Sequence, residues 1–480
     1  MATAQAETTR TYQGLPTEPL RPHGLARVAE VVEALPTAAV RVRWDSSDLR
    51  LLAHGGVLEQ DLDAGWTLTL PNGEEHRAAP PAPVPGAASA PPAPPTELLD
   101  RVQSYVGGRP LQPVLRLRTR RERSALLDQG GRTLAELECS AVQAEFLTGA
   151  GRVAGWSRTR ATLVDGSRRL LDALDGLLRA QGLTELPVGR AGRLPKAGSA
   201  AAALVAFLRR QNAELLALDG AVRRDEADAV HRMRVCARRL RSVLASCEKL
   251  LRKREVRELG TELRWLGQVL GAARDAETTG EQLAGQAARL PVQLGDPATG
   301  IAARFAERYA EAYRVAREVL DSERYFTLLA NLERVAARPP LRDRAKRGRS
   351  ELERLLRAEQ RRTGGRLRAA LALPEGADRD LALHGARKAA KRARYTAELA
   401  GAARLARCMR AVQDALGAYQ DAIVAERLLP ELAAQAHAAG EETFGYGLLY
   451  AAQRPAAAEA LATAGPAWRQ AGKRRLCRLG

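Results

Sequence analysis

The chain has 480 residues, with 75 Lys and Arg against 56 Asp and Glu, a formal net charge of +19. That length holds two or three domains with substantial cores, and no stretch approaches the roughly 18 apolar residues of a spanning helix, which excludes membrane insertion. Five scattered cysteines (Cys139, Cys236, Cys247, Cys408 and Cys477) form no CxxC pair, which excludes a disulfide scaffold or zinc ribbon and predicts reduced thiols.

The charge is uneven. Residues 1–200 carry 24 Lys and Arg against 22 Asp and Glu, which leaves 51 against 34 for residues 201–480. A polyanion partner for the C-terminal part follows: nucleic acid, polyphosphate or an anionic membrane surface. Residues Met1 to Glu7 show no basic region followed by an apolar run. No secretory signal is expected, and a soluble, cytoplasmic protein is.

Residues 1–190 read as α+β. Val40–Trp44 and Trp66–Leu70 alternate as strands do, the second ending at the turn signal Pro71-Asn72-Gly73. A Pro/Ala-rich insert at residues 80–95 is too poor in large apolar residues to pack and reads as a connector. Leu115–Thr119 and Thr133–Leu137 are further strands around the turn Asp128-Gln129-Gly130-Gly131, and Asp165–Gln181 is a helix. From about Lys196 strand signals stop. Ala/Leu/Arg/Glu segments of helical period follow, broken at Pro291, Pro297, Pro339-Pro340 and Pro374, which predicts about eight helices.

Two of those helices carry one signature, 153 positions apart. His231 is followed by Arg234, Arg238, Arg239 and Arg241; His384 by Arg387, Lys391, Arg392 and Arg394, with Lys388 as an extra cation. The shared offsets fall on one side of an α-helix. Met233, Ala237, Leu240 and Leu244 take the other side in the first copy, and Ala386, Ala390, Ala393 and Ala397 in the second. A second element also recurs: Leu270-Gly271 with Asp275, and Leu416-Gly417 with Asp421, each downstream of its basic helix. Two ordered motifs in the same order predict a duplicated domain dividing near residue 340.

H-x-x-R-x-x-x-[RK]-R-x-R followed by L-G-x-x-x-D, twice in an all-helical region, resembles the CHAD family (conserved histidine α-helical domain) over residues 196–480. The resemblance implies two pseudo-symmetric four-helix bundles, at about residues 196–338 and 341–480, with basic helices facing a shared groove. It also implies binding of inorganic polyphosphate. The implied ligands are His231, Arg234, Arg238, Arg239 and Arg241 in one copy and His384, Arg387, Lys388, Lys391, Arg392 and Arg394 in the other. Asp275 and Asp421 are expected to be structural, capping a helix or holding an arginine.

Residues 1–190 resemble a degenerate CYTH domain, the triphosphate tunnel fold, which implies an antiparallel β-tunnel or barrel. Trp66-Thr67-Leu68-Thr69-Leu70-Pro71 is similar to its W-t-l-K-l-P strand, and Asp45 to Leu51 to its D-T-p-d-l-r-L stretch. The departures lie in the polar residues. An N-terminal E-x-E-x-K becomes Glu7, Thr9 and Thr11; L-R-R-R becomes Leu58-Glu59-Gln60-Asp61; Thr69 replaces a lysine; and E-x-E-x-E becomes Arg158, Arg160 and Thr162. A tunnel triphosphatase holds divalent cations on inward carboxylates. Arginines in their place predict a protein without catalytic residues, metal or cofactor.

Polyphosphate suits the repeat because it is charged at every unit and offers no bases to read. Arginine gives bidentate donors and lysine a compact charge, and ten residues of helix span roughly 15 Å. Each histidine among these cations is expected to be neutral when the site is empty and charged when phosphate is bound. Neither has a Cys, Asp or Glu at ligand spacing on its face. His23, His54, His76 and His437 are read as structural, and the basic tail Lys473-Arg474-Arg475 with Arg478 as a solvated terminus. Association with polyphosphate granules is a natural extension. Two alternatives stay open: non-specific nucleic-acid binding, disfavoured by only 4% aromatic residues, and a metal-dependent triphosphatase or polyphosphatase using Glu136 or Glu138.

Overall fold

The alternating segments of the N-terminal part build one antiparallel sheet of ten strands: β1 Thr9–Gln13, β2 Glu30–Glu33, β3 Thr37–Asp45, β4 Val57–Asp61, β5 Gly65–Thr69, β6 Glu75–Ala78, β7 Gln112–Leu127, β8 Thr133–Phe146, β9 Val153–Leu163 and β10 Thr184–Glu185. The computed structural model describes residues 8–22, 25, 27–61, 64–79, 93–148, 153–185, 198–291 and 296–479. Glu7, His23, most of the Pro/Ala-rich insert and the stretch around Lys196 lie outside the described residues. The chain divides into two units, Met1–Gly192 and Arg193–Gly480.

In the first unit the strand order is β10-β1-β9-β8-β7-β3-β4-β5-β6, with β2 also paired to β7. Its two end strands do not pair with each other among the described residues, so the tunnel-like sheet stays open. β7 runs eight residues beyond the expected Thr119, because its distal half is polar on both faces and hides the alternation. The turn after it is held by Asp128, whose Oδ1 accepts from Gly130 N at 2.8 Å and Arg132 N at 3.0 Å. Among the described residues three helices join this unit: α1 Arg50–Ala53, α2 Thr96–Val106 and α3 Arg168–Ala180.

The two sheet faces differ in chemistry. Tyr12, Leu137 and Ala161 pack under Leu170, Leu171, Leu174 and Leu178 of α3 in one apolar cluster. The alternate residues point the other way. There Arg160 of β9 is registered against Thr11 of β1 and Glu138 of β8, and Thr162 against Thr9 and Glu136. Three carboxylates on this face are taken by arginines: Arg43 donates to Glu59 at 2.7 Å, Arg41 to Asp61 at 3.4 Å and Arg123 to Glu138 at 3.0 Å.

The second unit is all helical: α4 Ala200–Arg223, α5 Ala229–Ser246, α6 Lys253–Ala287, α7 Pro297–Leu320, α8 Glu323–Ala337, α9 Arg349–Leu371, α10 Ala377–Leu399, α11 Ala403–Ala438 and α12 Phe444–Ala471. Helices α4–α7 and α9–α12 form the two bundles. The first has a fifth helix, α8, beyond the expected four. It is started by Ser322, which accepts from Tyr325 N at 3.2 Å, and docked by a buried network. There Asp219 accepts from Arg223 at 2.7 Å and from Tyr325 Oη at 2.8 Å, while Arg223 also donates to Leu320 O at 2.6 Å.

Met233, Ala237, Leu240 and Leu244 of α5, and Ala386, Ala390, Ala393 and Ala397 of α10, are all buried. Their burial fixes the rotation of each basic helix. The far ends of the long helices meet in a separate core, where Leu283 of α6 and Ile301 of α7 pack with Leu429 of α11 and Leu449 of α12. The basic tail packs differently from a free terminus. Cys477 is buried, and the Gln360 amide donates to Ala471 O at 2.8 Å, while Lys473, Arg474, Arg475 and Arg478 stay exposed.

Candidate polyanion-binding site

With their apolar sides in the two cores, α5 and α10 turn their cations to a cavity of about 1030 Å³ within the helical unit. Helix α5 contributes Arg234, Arg238 and Arg241, and α10 contributes His384, Arg387, Lys388 and Lys391. Seven of the eleven expected ligands thus line one space. The two repeats meet directly beside it: Arg239 lies 3.5 Å from Glu398, and the Thr396 hydroxyl donates to Ser246 Oγ at 2.9 Å.

His231, Arg239, Arg392 and Arg394 are not among the lining residues. Offset eight falls about 80° from the histidine, on the flank of the helix, so Arg239 reaches Glu398 and Arg392 reaches Glu359 at 2.7 Å. Offset ten divides the repeats. Arg394 has Glu398 four residues on and pairs with it at 3.3 Å; Arg241 has Ala245 at that place and stays in the cavity. Of the remaining histidines, His54 lies edge-on to Tyr105, His76 Nε2 lies 3.3 Å from Arg101, and His437 closes α11.

The two repeated motifs are parts of one device. Arg234 crosses α6 at Gly271, where a Cβ would meet its Nη2 at 3.4 Å, and donates to Asp275 Oδ1 at 2.7 Å. Arg387 crosses α11 at Gly417, where a Cβ would meet Nη2 at 3.1 Å. The glycine gives the guanidinium room. Asp275 and Asp421 lie inside their helices, so they cap nothing, and Asp275 holds its arginine. In the second repeat the Arg387 Nε is buried without a hydrogen-bond partner.

Burial, and after it the crowding of like charge, sets the electrostatics. Burial, then Arg238, Arg387 and Arg234, push Lys391 down to about 6, against a smaller opposing pull from Asp421. His384 is lowered by burial and by Lys388, Arg387 and Lys391, although its Nδ1 lies 3.0 Å from Gln420 Oε1. His231 is lowered by burial and then by Arg274, which holds the place of Gln420 in the first repeat. Burial also lowers Arg387 and Arg241 and raises the Asp421 carboxyl.

A third wall comes from α6: Arg257, Thr261, Arg264 and Gln268, with Gly260 and Gly267 between them. The signal was a stripe of spacing seven, Arg257/Arg264, Gly260/Gly267 and Thr261/Gln268. Seven residues return to nearly the same helix face. Among the described residues Glu248 is the single carboxylate residue in the lining, and no Phe, Tyr or Trp belongs to it.

Residues 206–430 match the CHAD domain model. The chain is 34% identical over 462 residues to uncharacterized proteins from two strains of Mycobacterium tuberculosis, covering 89% of this chain and 88% of theirs. It belongs to the CHAD domain family. Among solved structures, PptA from Streptomyces chartreusis shares the fold with a TM-score of 0.50 and 21% identity, over 57% of this chain and 100% of that one. The CHAD domain from the plant Ricinus communis aligns with a TM-score of 0.44 and 26% identity, over 58% of this chain and 96% of that domain. No helix among the described residues is long and apolar enough to cross a membrane.

Proposed function

We propose that this protein binds inorganic polyphosphate in the cavity between α5, α6 and α10 and does not hydrolyse it. One observation carries the reading: among the described residues the lining has eight Arg and Lys and one Glu. A flexible polyanion needs dense, closely spaced donors, and Arg supplies them in bidentate form. Nucleic acid would leave its bases without aromatic platforms there. The N-terminal sheet supports the non-catalytic part, because its polar face pairs Glu59, Asp61 and Glu138 with arginines and carries Arg158 and Arg160 in place of metal ligands. A cytoplasmic protein that attaches to polyphosphate granules fits this chemistry.

The test is affinity for long-chain polyphosphate in the wild type and in a variant with Arg234, Arg238, Arg387 and Lys391 all changed to Ala. Loss of binding is expected; unchanged affinity overturns the site. Duplex DNA competing equally at the same phosphate concentration overturns the ligand. Magnesium- or manganese-dependent phosphate release that Glu138→Gln abolishes overturns the absence of catalysis.

A further inference from the structure

The cavity is finite, and a long polyphosphate chain must leave it. Helix α9 offers a way out. It runs antiparallel along the flank of α10, fixed at two levels: Arg366 Nη1 donates to Gly385 O at 3.3 Å, and Glu359 accepts from Arg392 at 2.7 Å. Gly385 directly follows the cavity residue His384. That register brings Arg362 level with Lys388, an exposed residue of the cavity lining. Arg362, Arg366 and Lys388 therefore form a row of exposed cations leading outward from the rim.

These three charges are poorly compensated. Lys388 and Arg366 make no ion pair within 4 Å among the described residues. Arg362 reaches Glu359 at 3.9 Å, a carboxylate already held by Arg392 at 2.7 Å. The first repeat has no such row. Aligned on the buried Leu208 and Leu356, α4 has Glu214 and Leu218 where α9 has Arg362 and Arg366. Glu214 accepts from Gln211 at 2.8 Å, so an acidic and an apolar residue stand on that side.

We propose that a long polyphosphate chain leaves the cavity over Lys388, Arg362 and Arg366, so that the site, already one-sided in its α6 wall, is extended on the α9 side alone. This rests on the polyphosphate reading. The row adds phosphate contacts only for chains too long for the cavity to take whole, and it makes affinity depend on chain length.

Binding of tripolyphosphate and of long-chain polyphosphate to the full chain tests this, using wild type and Arg362→Ala/Arg366→Ala. A control, Arg361→Ala/Arg368→Ala, removes two exposed arginines from the other side of α9. The expected result is a roughly tenfold loss for long chains, the scale of two lost phosphate contacts, with tripolyphosphate binding and the control unchanged. Equal loss for both ligands, no loss for long chains, or an equal loss in the control overturns the exit row. A wild-type protein that binds neither ligand overturns the polyphosphate reading itself.

Discussion

Arg238 of the first repeat donates through Nε to the hydroxyl of Tyr395 in the second at 3.2 Å. Tyr395 is fully buried, and the guanidinium groups of Arg394 and Arg239 lie over its ring at 4.6 and 5.8 Å. One aromatic side chain thus aims a cavity arginine and screens two that face elsewhere. Tyr395→Phe removes a hydrogen bond of about 1 kcal/mol and leaves the ring. Thermal unfolding should shift by only a few degrees while polyphosphate affinity falls several-fold. Tyr395→Ala should instead cost about 3–5 kcal/mol of stability by opening a cavity. Calorimetry of both variants, with and without ligand, checks the split.

Gly271 and Gly417 separate stability from binding. Each lies inside a helix, where Ala is favoured over Gly by up to about 1 kcal/mol. Yet a Cβ at Gly417 would press the Arg387 guanidinium at 3.1 Å, and one at Gly271 would meet Arg234 at 3.4 Å. Gly417→Ala should keep or raise the unfolding temperature while weakening polyphosphate binding, and Gly271→Ala should do so less. A Gly417→Ala protein binding as wild type would show that the arginine needs no such seat.

Binding should take up protons. In the empty site Lys391 is pushed down to about 6 by burial and by Arg238 and Arg234 on α5 and Arg387 on α10, with Asp421 on α11 pulling the other way. Bound phosphate restores the charge. Below that value Lys391 is charged with or without ligand; above it each binding event must protonate it, so affinity falls as pH rises, by up to about tenfold per unit. The same depression makes the empty fold hold fewer protons than the unfolded chain between about pH 6 and the ordinary lysine value near 10. Stability of the empty protein therefore rises with pH across that window. His384, which also lines the cavity and is lowered in the same direction, adds proton uptake at the acid end. Titration calorimetry in buffers of different ionisation enthalpy measures the uptake, and Lys391→Met should remove most of it near pH 8.

The α6 wall should contribute like the basic helices themselves. Arg264 and Arg257 both line the cavity, and Arg257 is tied only loosely to Glu248 at 3.8 Å. Arg257→Ala/Arg264→Ala should weaken binding and flatten its salt dependence by about 0.7 per lost contact, the single-strand value. An unchanged slope would confine the ligand to α5 and α10.

Much of the helical unit was legible in the chain, because cations at fixed offsets and small residues at helical period are both local patterns. Those patterns placed Arg234, Arg238, Arg387 and Lys391 on one side without any knowledge of neighbours. The diversion of Arg394 to Glu398, four residues on, was readable in the same way. The diversion of Arg392 to Glu359 was not, since the carboxylate comes from a helix 33 residues away in sequence. The glycine of L-G-x-x-x-D has meaning only once it is known which arginine passes over it. In the N-terminal unit, the distal half of β7 escaped because its arginines and the carboxylates they meet across the sheet erase the apolar alternation. Helix α8 carries no repeated motif, and its buried Leu328, Leu329, Leu332 and Val335 together with the Tyr325 contact to Asp219 show why the first repeat keeps it.

Leu283 stands eight residues beyond Asp275 on α6, and Leu429 eight residues beyond Asp421 on α11. The two leucines lie in one shared core. Eight residues are roughly 12 Å of helix. Packing in that core, whose residues do not line the cavity, is thus coupled to the spacing of the two repeats' arginine seats. Side-chain volume at Leu283 or Leu429 acts as a calliper on the groove, and substitutions there should retune affinity while every ligand-contacting residue stays in place.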